Sequence, residues 1–239
     1  MKHWVAYATK GSGEYYGSKA KINLWSLPHD IKPSQQQSGY AMWVSNEHEI
    51  TNAVIAGFQA DGYNSTGCYN LMCKSFVMVD WNVLTPGSVV GPVSIYNGAQ
   101  YYITISVKKD AKTRDWFLYR EDLGEPRLIG YWPKSLFTTL ADRADAVSWG
   151  GMVSYDTDDA GPPLGSGHHA SELERKAAYF KNIEIFYSDG KSHDLIDGEQ
   201  DRFADKEECY TISKLVDSSK YGRHDGHLFY FGGPGGCDG

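Results

Sequence analysis

Side chains able to do chemistry fall into a few groupings in this sequence. His168-His169 and His224-x-x-His227 carry the imidazoles that ligate divalent metals. His224 and His227 sit in a Gly/Asp turn with no carboxylate at ligand spacing, so no metal is assigned to them. Ser166, in Gly165-Ser166-Gly167, lacks the Gly-x-Ser-x-Gly frame that exposes a nucleophile at a strand-to-helix turn. Asp156, Asp158 and Asp159 lack the spacing and closing glutamate of a calcium loop and read as solvated. No cofactor fingerprint is present.

The 4 cysteines fall into two positional pairs, Cys68 with Cys73 and Cys209 with Cys237. Three connectivities are open to four cysteines. A local 68–73 loop with a 209–237 clasp is favoured, because the clasp ties down a C-terminus that otherwise frays. Zinc is the rival reading, but Cys-x2-Cys spacing is missing. Asn64-Ser65-Thr66 is a glycosylation sequon in a Gly/Asn-rich stretch, and with paired cysteines it points to secretion. Met1-Lys2-His3-Trp4 runs straight into alternating sequence, so the chain reads as a trimmed form without a signal peptide.

These residues must be positioned by strands. With 17 Tyr, 7 Trp and 26 Gly in 239 residues, the composition favours strands and tight turns. Period-two alternation recurs at Lys21–Trp25, Ala41–Val44, Val54–Phe58 and Phe76–Val79 towards Trp81 and Val83. It continues at Tyr101–Val107, Trp116–Tyr119, Leu128–Trp132, Ala146–Tyr155, Tyr179–Tyr187 and His227–Phe231. Many short strands between Gly, Pro, Asn and Asp turns predict an all-β, antiparallel β-sandwich of two packed sheets, one domain over 1–239.

One short helix is predicted over Lys134–Ala144, with Pro133 at its start and Leu136, Phe137, Leu140 and Ala141 on one stripe. Glu172–Ala178 adds a helical turn. Asp156–His169 and the charged Asp189–Glu208 read as loops. The net charge of −7 and the scattered Lys and Arg exclude a nucleic-acid stripe. No apolar run reaches the roughly 20 residues that span a bilayer. No oligomeric state is read.

Seven motifs in order resemble the neprosin family of plant glutamic peptidases. They are Tyr16–Ala20 before Ile22–Trp25, Thr66–Cys73, Ser94–Tyr101, Gly130–Pro133 with Leu136-Phe137, Gly165–His168, Ala178–Asn182 and Phe229–Gly235. The resemblance covers about residues 3 to 237. It implies a two-sheet β-sandwich, secretion in plants, an N-terminal pro-segment that this chain lacks, and endopeptidase activity after proline. Two glutamates across a cleft on one sheet would do that chemistry, one as base on a water and the other as proton donor.

Both glutamates are missing. The family pattern WGGEV reads Trp149-Gly150-Gly151-Met152-Val153, and a thioether does not exchange a proton. The pattern IEAGW is nearest to Val54-Ile55-Ala56-Gly57-Phe58, placing Ile55 at the other acid position. An ungapped alternative from Ala56 to Asn70 omits that strand altogether, since 43–68 is short for the family; losing a strand would expose a sheet edge. Alternation puts Val147, Trp149, Gly151 and Val153 on one face, and Ser148, Gly150, Met152 and Ser154 on the other, small-lined like a cleft floor. Glu47, Glu49, Asp61 and Asp158 are the possible substitute acids. Tyr131, Trp132, Ser148, Trp149, Ser154 and His168 are the candidates for a retained groove, with proline-rich peptide or cell-wall glycan as the expected ligand.

Overall fold

The computed structural model describes residues 1–26, 31–32, 35–47, 51–60 (backbone alone at 59–60) and 75–237. The first eight strands are β1 (Lys2–Thr9), β2 (Gly17–Asn23), β3 (Gln37–Asn46), β4 (Asn52–Ala60), β5 (Val77–Met78), β6 (Tyr102–Lys109), β7 (Trp116–Arg120) and β8 (Arg127–Trp132). Then come β9 (Ala146–Ser154), β10 (Ala178–Phe186), β11 (Ser192–Asp194), β12 (Gln200–Ala204), β13 (Thr211–Ile212), β14 (Val216–Asp217) and β15 (His227–Gly232). A 5-stranded sheet runs β12-β1-β9-β3-β4, and a 10-stranded sheet runs β13-β15-β10-β2-β6-β7-β8-β5 with β11 and β14 at its sides. All strand pairs are antiparallel, giving the all-β sandwich that the alternation predicts.

Alternation decides which residues meet between the sheets. Val5 and Tyr7, Tyr40, Met42 and Val44, Val54 and Ala56, and Val147, Trp149 and Val153 face inward from the smaller sheet. Ala20 and Ile22, Ile103, Ile105 and Val107, and Phe180, Phe229 and Phe231 answer from the larger one, forming one core cluster. Tyr40 meets Phe231 at 5.4 Å and Tyr7 meets Phe229 at 5.1 Å between ring centroids. Trp149 is fully buried, and its indole Nε1 donates to Ser18 Oγ of β2 at 3.0 Å, crossing the layers. A buried indole needs such an acceptor, because leaving the N–H unpaired costs about 1–3 kcal/mol.

Four expectations about local structure are corrected. The segment 134–144 forms two 3-10 turns, Lys134–Leu136 and Thr139–Ala141, instead of a helix. Tertiary bonds take the backbone groups that a helix would use: Trp116 Nε1 donates to Leu140 O, and Ala144 N to Tyr15 O. Leu136 is left exposed, so the apolar stripe never forms a buried face. The strand at 76–83 shrinks to Val77–Met78, because Asp80 Oδ1 accepts from Asn82 N and turns the chain. The charged 189–208 stretch contains β11 and β12; β12 is an edge strand whose side chains are mostly exposed, so burial leaves no apolar alternation to read. The helical turn expected at 172–178 lies at Ala170–Glu172, after which Leu173 and Arg175 adopt positive φ.

The Cys209–Cys237 disulfide is present and closes the C-terminal segment onto the core. Cys68, Cys73, Asn64, Glu49 and Asp61 lie outside the described residues. Among the described residues no helix is long and apolar enough to cross a membrane.

Candidate functional site

The outward face of the 5-stranded sheet can be read row by row from its registers, because directly paired residues share a face. Met152 pairs with Trp4 of β1 and Gly39 of β3, and Gly39 pairs on with the backbone of Gln59 in β4. Gly150 pairs with Ala6 and Ala41, and Ala41 with Gly57. Ser148 pairs with Ala8 and Trp43, and Trp43 with Ile55. On β12, Phe203 extends the Gly150 row and Asp201 the Ser148 row.

The middle row is almost devoid of side chains. A Cβ at Gly150 would lie 2.1 Å from Val5 O, and one at Gly57 2.2 Å from Tyr40 O, so neither strand tolerates a side chain there. Rows of larger residues flank this floor. Trp4 and Trp43 lean across it and meet edge to face at 5.6 Å between ring centroids. Ile55 is 52% exposed and Phe203 also 52%, while Met152 is half-buried beside Trp4. The result is a shallow apolar trough with an aromatic bridge, bordered by the hydroxyls of Ser148 and Ser154.

Met152 in β9 and Ile55 in β4 therefore lie on this one face, separated by β3. Ile55 belongs to the Ser148 row, so two strand spacings and four residues of rise part it from Met152. That is about 16 Å between backbones, at ~4.8 Å per strand and ~3.3 Å per residue. Among the described residues no carboxylate stands between them. Asp205 Oδ1 accepts from Trp4 N at 3.0 Å at the rim, with His3 Nδ1 3.4 Å from its other oxygen. Asp201 lies on the edge strand and faces Lys10 at 3.9 Å. Glu47 Oε1 takes the hydroxyl of its neighbour Ser45 at 3.3 Å, and Asp158 is exposed in the turn after β9. Among the described residues the side chains that border this trough are apolar or hydroxyl-bearing.

Of the groove candidates, Ser148 and Ser154 share the face of Met152. Trp149 points the other way, into the core. Tyr131 and Trp132 are on β8 of the other sheet, Tyr131 against Phe117 at 5.5 Å and Trp132 against Phe76 at 4.6 Å between centroids. His168 lies in the β9–β10 connection, stacked on Tyr96 at 4.2 Å with Nδ1 3.0 Å from Glu172 Oε1. Tyr96 donates its hydroxyl to Glu172 Oε2 at 2.8 Å, which holds that carboxyl below and the phenol above its ordinary range. His227 Nε2 faces Asp197 at 3.2 Å. Sequence reasoning missed Trp4, Trp43 and Phe203. For the first two the signal was there: Trp4, Ala6, Ala8 and Gly39, Ala41, Trp43 alternate against Val5, Tyr7 and Tyr40, Met42, Val44.

The comparison with protein families agrees with this architecture. The family model described as Neprosin matches residues 37–234, which takes in β3, β4 and β9.

Proposed function

The chain belongs to the neprosin family, and we propose that within that peptidase-related family it is a secreted homologue without proteolytic activity that keeps a ligand groove. The observation that carries the reading is the outward face of the 5-stranded sheet, where Met152 and Ile55 flank an uncharged floor. Proton exchange at both positions is what a two-glutamate mechanism requires, and losing one such group costs about 10²–10⁴ in rate. The trough nevertheless keeps features that suit a ligand. Its glycine and alanine floor lets an extended chain or a sugar ring approach, and the Trp4–Trp43 pair offers aromatic faces for proline rings or pyranose C–H groups. Proline-rich peptide or cell-wall glycan is thus the proposed ligand. The Cys209–Cys237 disulfide supports the secreted address, because such bonds persist in oxidising compartments.

Titrating the protein with a proline-rich peptide and with a β-linked oligosaccharide, while following tryptophan fluorescence, tests the groove. Saturable quenching should occur with one of them and be lost in Trp43→Ala, which is half-exposed and leaves the core untouched. Binding that survives Trp43→Ala and Trp4→Ala alike would place the ligand elsewhere.

A further inference from the structure

Among the described residues the main paths of the two sheets end on four strands, and three of these are protected. In the larger sheet β13 and β5 are two-residue strands, too short to template another chain. In the smaller sheet β12 carries Asp201 and Arg202, with Arg202 paired to Glu207 at 2.6 Å. Among the described residues the fourth of these strands, β4, has none of these devices, and only its first residue, Asn52, is capped, by Thr138 N at 2.8 Å. It runs nine residues, Asn-Ala-Val-Ile-Ala-Gly-Phe-Gln-Ala, without a charge or a proline, and pairs only with β3 among the described residues. Ile55 stands 52% exposed at its centre.

We propose that β4 is a dimer interface, on which a second copy of this chain pairs its own β4 antiparallel about a two-fold axis at Ile55. In this register Ile55 lies opposite Ile55 of the second copy, Ala53 opposite Gly57, and Val54 opposite Ala56. Face parity selects it: Ala53, Ile55 and Gly57 are outward residues, while Val54 and Ala56 are buried inward ones, so each pair keeps both faces continuous. The pairing places no like charges opposite one another, because the strand has none, and it covers the exposed isoleucine with its own symmetry mate. An acid at this position would meet its own copy across the axis, and isoleucine removes that repulsion. The contact is isologous, so it closes at two copies; the charged β12 edges at the far ends discourage further growth. The two 5-stranded sheets then form one continuous sheet, with both troughs opening on the same side.

Sedimentation of the full chain over a micromolar concentration range, together with hydrogen exchange of the 52–58 amides, tests this. Wild type should show a monomer–dimer equilibrium, and β4 protection should rise with concentration. Ile55→Lys and Ile55→Glu should each weaken the dimer by about 100-fold or more, since like charges meet directly across strands. An equimolar mixture of the two variants should dimerise again, an outcome that misfolding of either could not give. A monomer at every concentration, β4 protection independent of concentration, or a mixture that stays monomeric would each overturn the proposal. So would variants that dimerise as tightly as wild type, or β4 protection gained only when an extended peptide is added.

Discussion

The outward faces of the two sheets handle charge in opposite ways. On the larger sheet carboxylates are abundant and neutralised: Lys19 meets Glu184 at 2.8 Å, and Lys181 meets Glu174 at 2.7 Å and Asp225 at 3.1 Å. Tyr230 adds its hydroxyl to Glu174 at 2.7 Å, and burial with that bond pushes the phenol far above its ordinary range. Glu174 and Asp225 thus stand close together, bridged by Lys181 Nζ. On the outward face of the smaller sheet the described residues of β9 and its neighbours are mostly alanine, glycine, serine and apolar side chains, with Asp201 on the edge strand and Lys2 at the end of β1. The chain has no shortage of acids. Among the described residues these three acids of the larger sheet are tied to lysines or a tyrosine, and none stands between Met152 and Ile55.

The largest effect expected from this contrast lies within one strand. Trp149→Ala removes a fully buried indole and its bond to Ser18, and should cost about 4 kcal/mol in chemical denaturation. Met152→Ala, three residues on and on the other face, should cost under about 1 kcal/mol. Equal losses would show that the trough face is packed rather than open.

A smaller effect separates the paired charges from the unpaired face. Lys181 is buried beside two partly exposed carboxylates, so Lys181→Met leaves them without a cation. The expected loss is about 2 kcal/mol, below the 3–5 of a fully buried pair because water screens Glu174 and Asp225. Urea denaturation reads it, and a neutral result would mean that the network contributes nothing to the fold.

The smallest effect concerns Lys109, which is buried without such partners. Its Nζ donates to Arg114 O at 2.7 Å and lies over the Trp116 ring, and burial lowers its pKa from 10.5 to about 8. Between those values the unfolded chain binds the extra proton, so stability contributed by this group is complete above 10.5 and is lost as pH falls through about 8. Wild type should therefore gain on Lys109→Met as pH rises through that window, measured as the difference in melting temperature. A flat difference would show that the ammonium is solvated.

How far the molecule was legible in its sequence follows from what each region buries. Ile103, Ile105 and Val107 announce a strand because alternate positions face a core. The edge strand β12 left no such trace, and the 134–144 stripe misled because Trp116 and Tyr15, distant in sequence, claim its backbone. For the site, the outward placement of Ser148, Met152 and Ser154 could be read from the alternation around them. That Trp4 and Trp43 bridge the same trough could not, since it depends on which strands become neighbours. Trp149, flanked by the same motif, belongs to the opposite face by alternation alone.

Incubating the purified protein with a proline-containing peptide from acid to neutral pH, and following peptide bonds by mass spectrometry, tests the central claim most directly. A trough without proton-exchanging groups should release no product beyond that of buffer at any pH. Cleavage that disappears when a single aspartate or glutamate is replaced by its amide would contradict it.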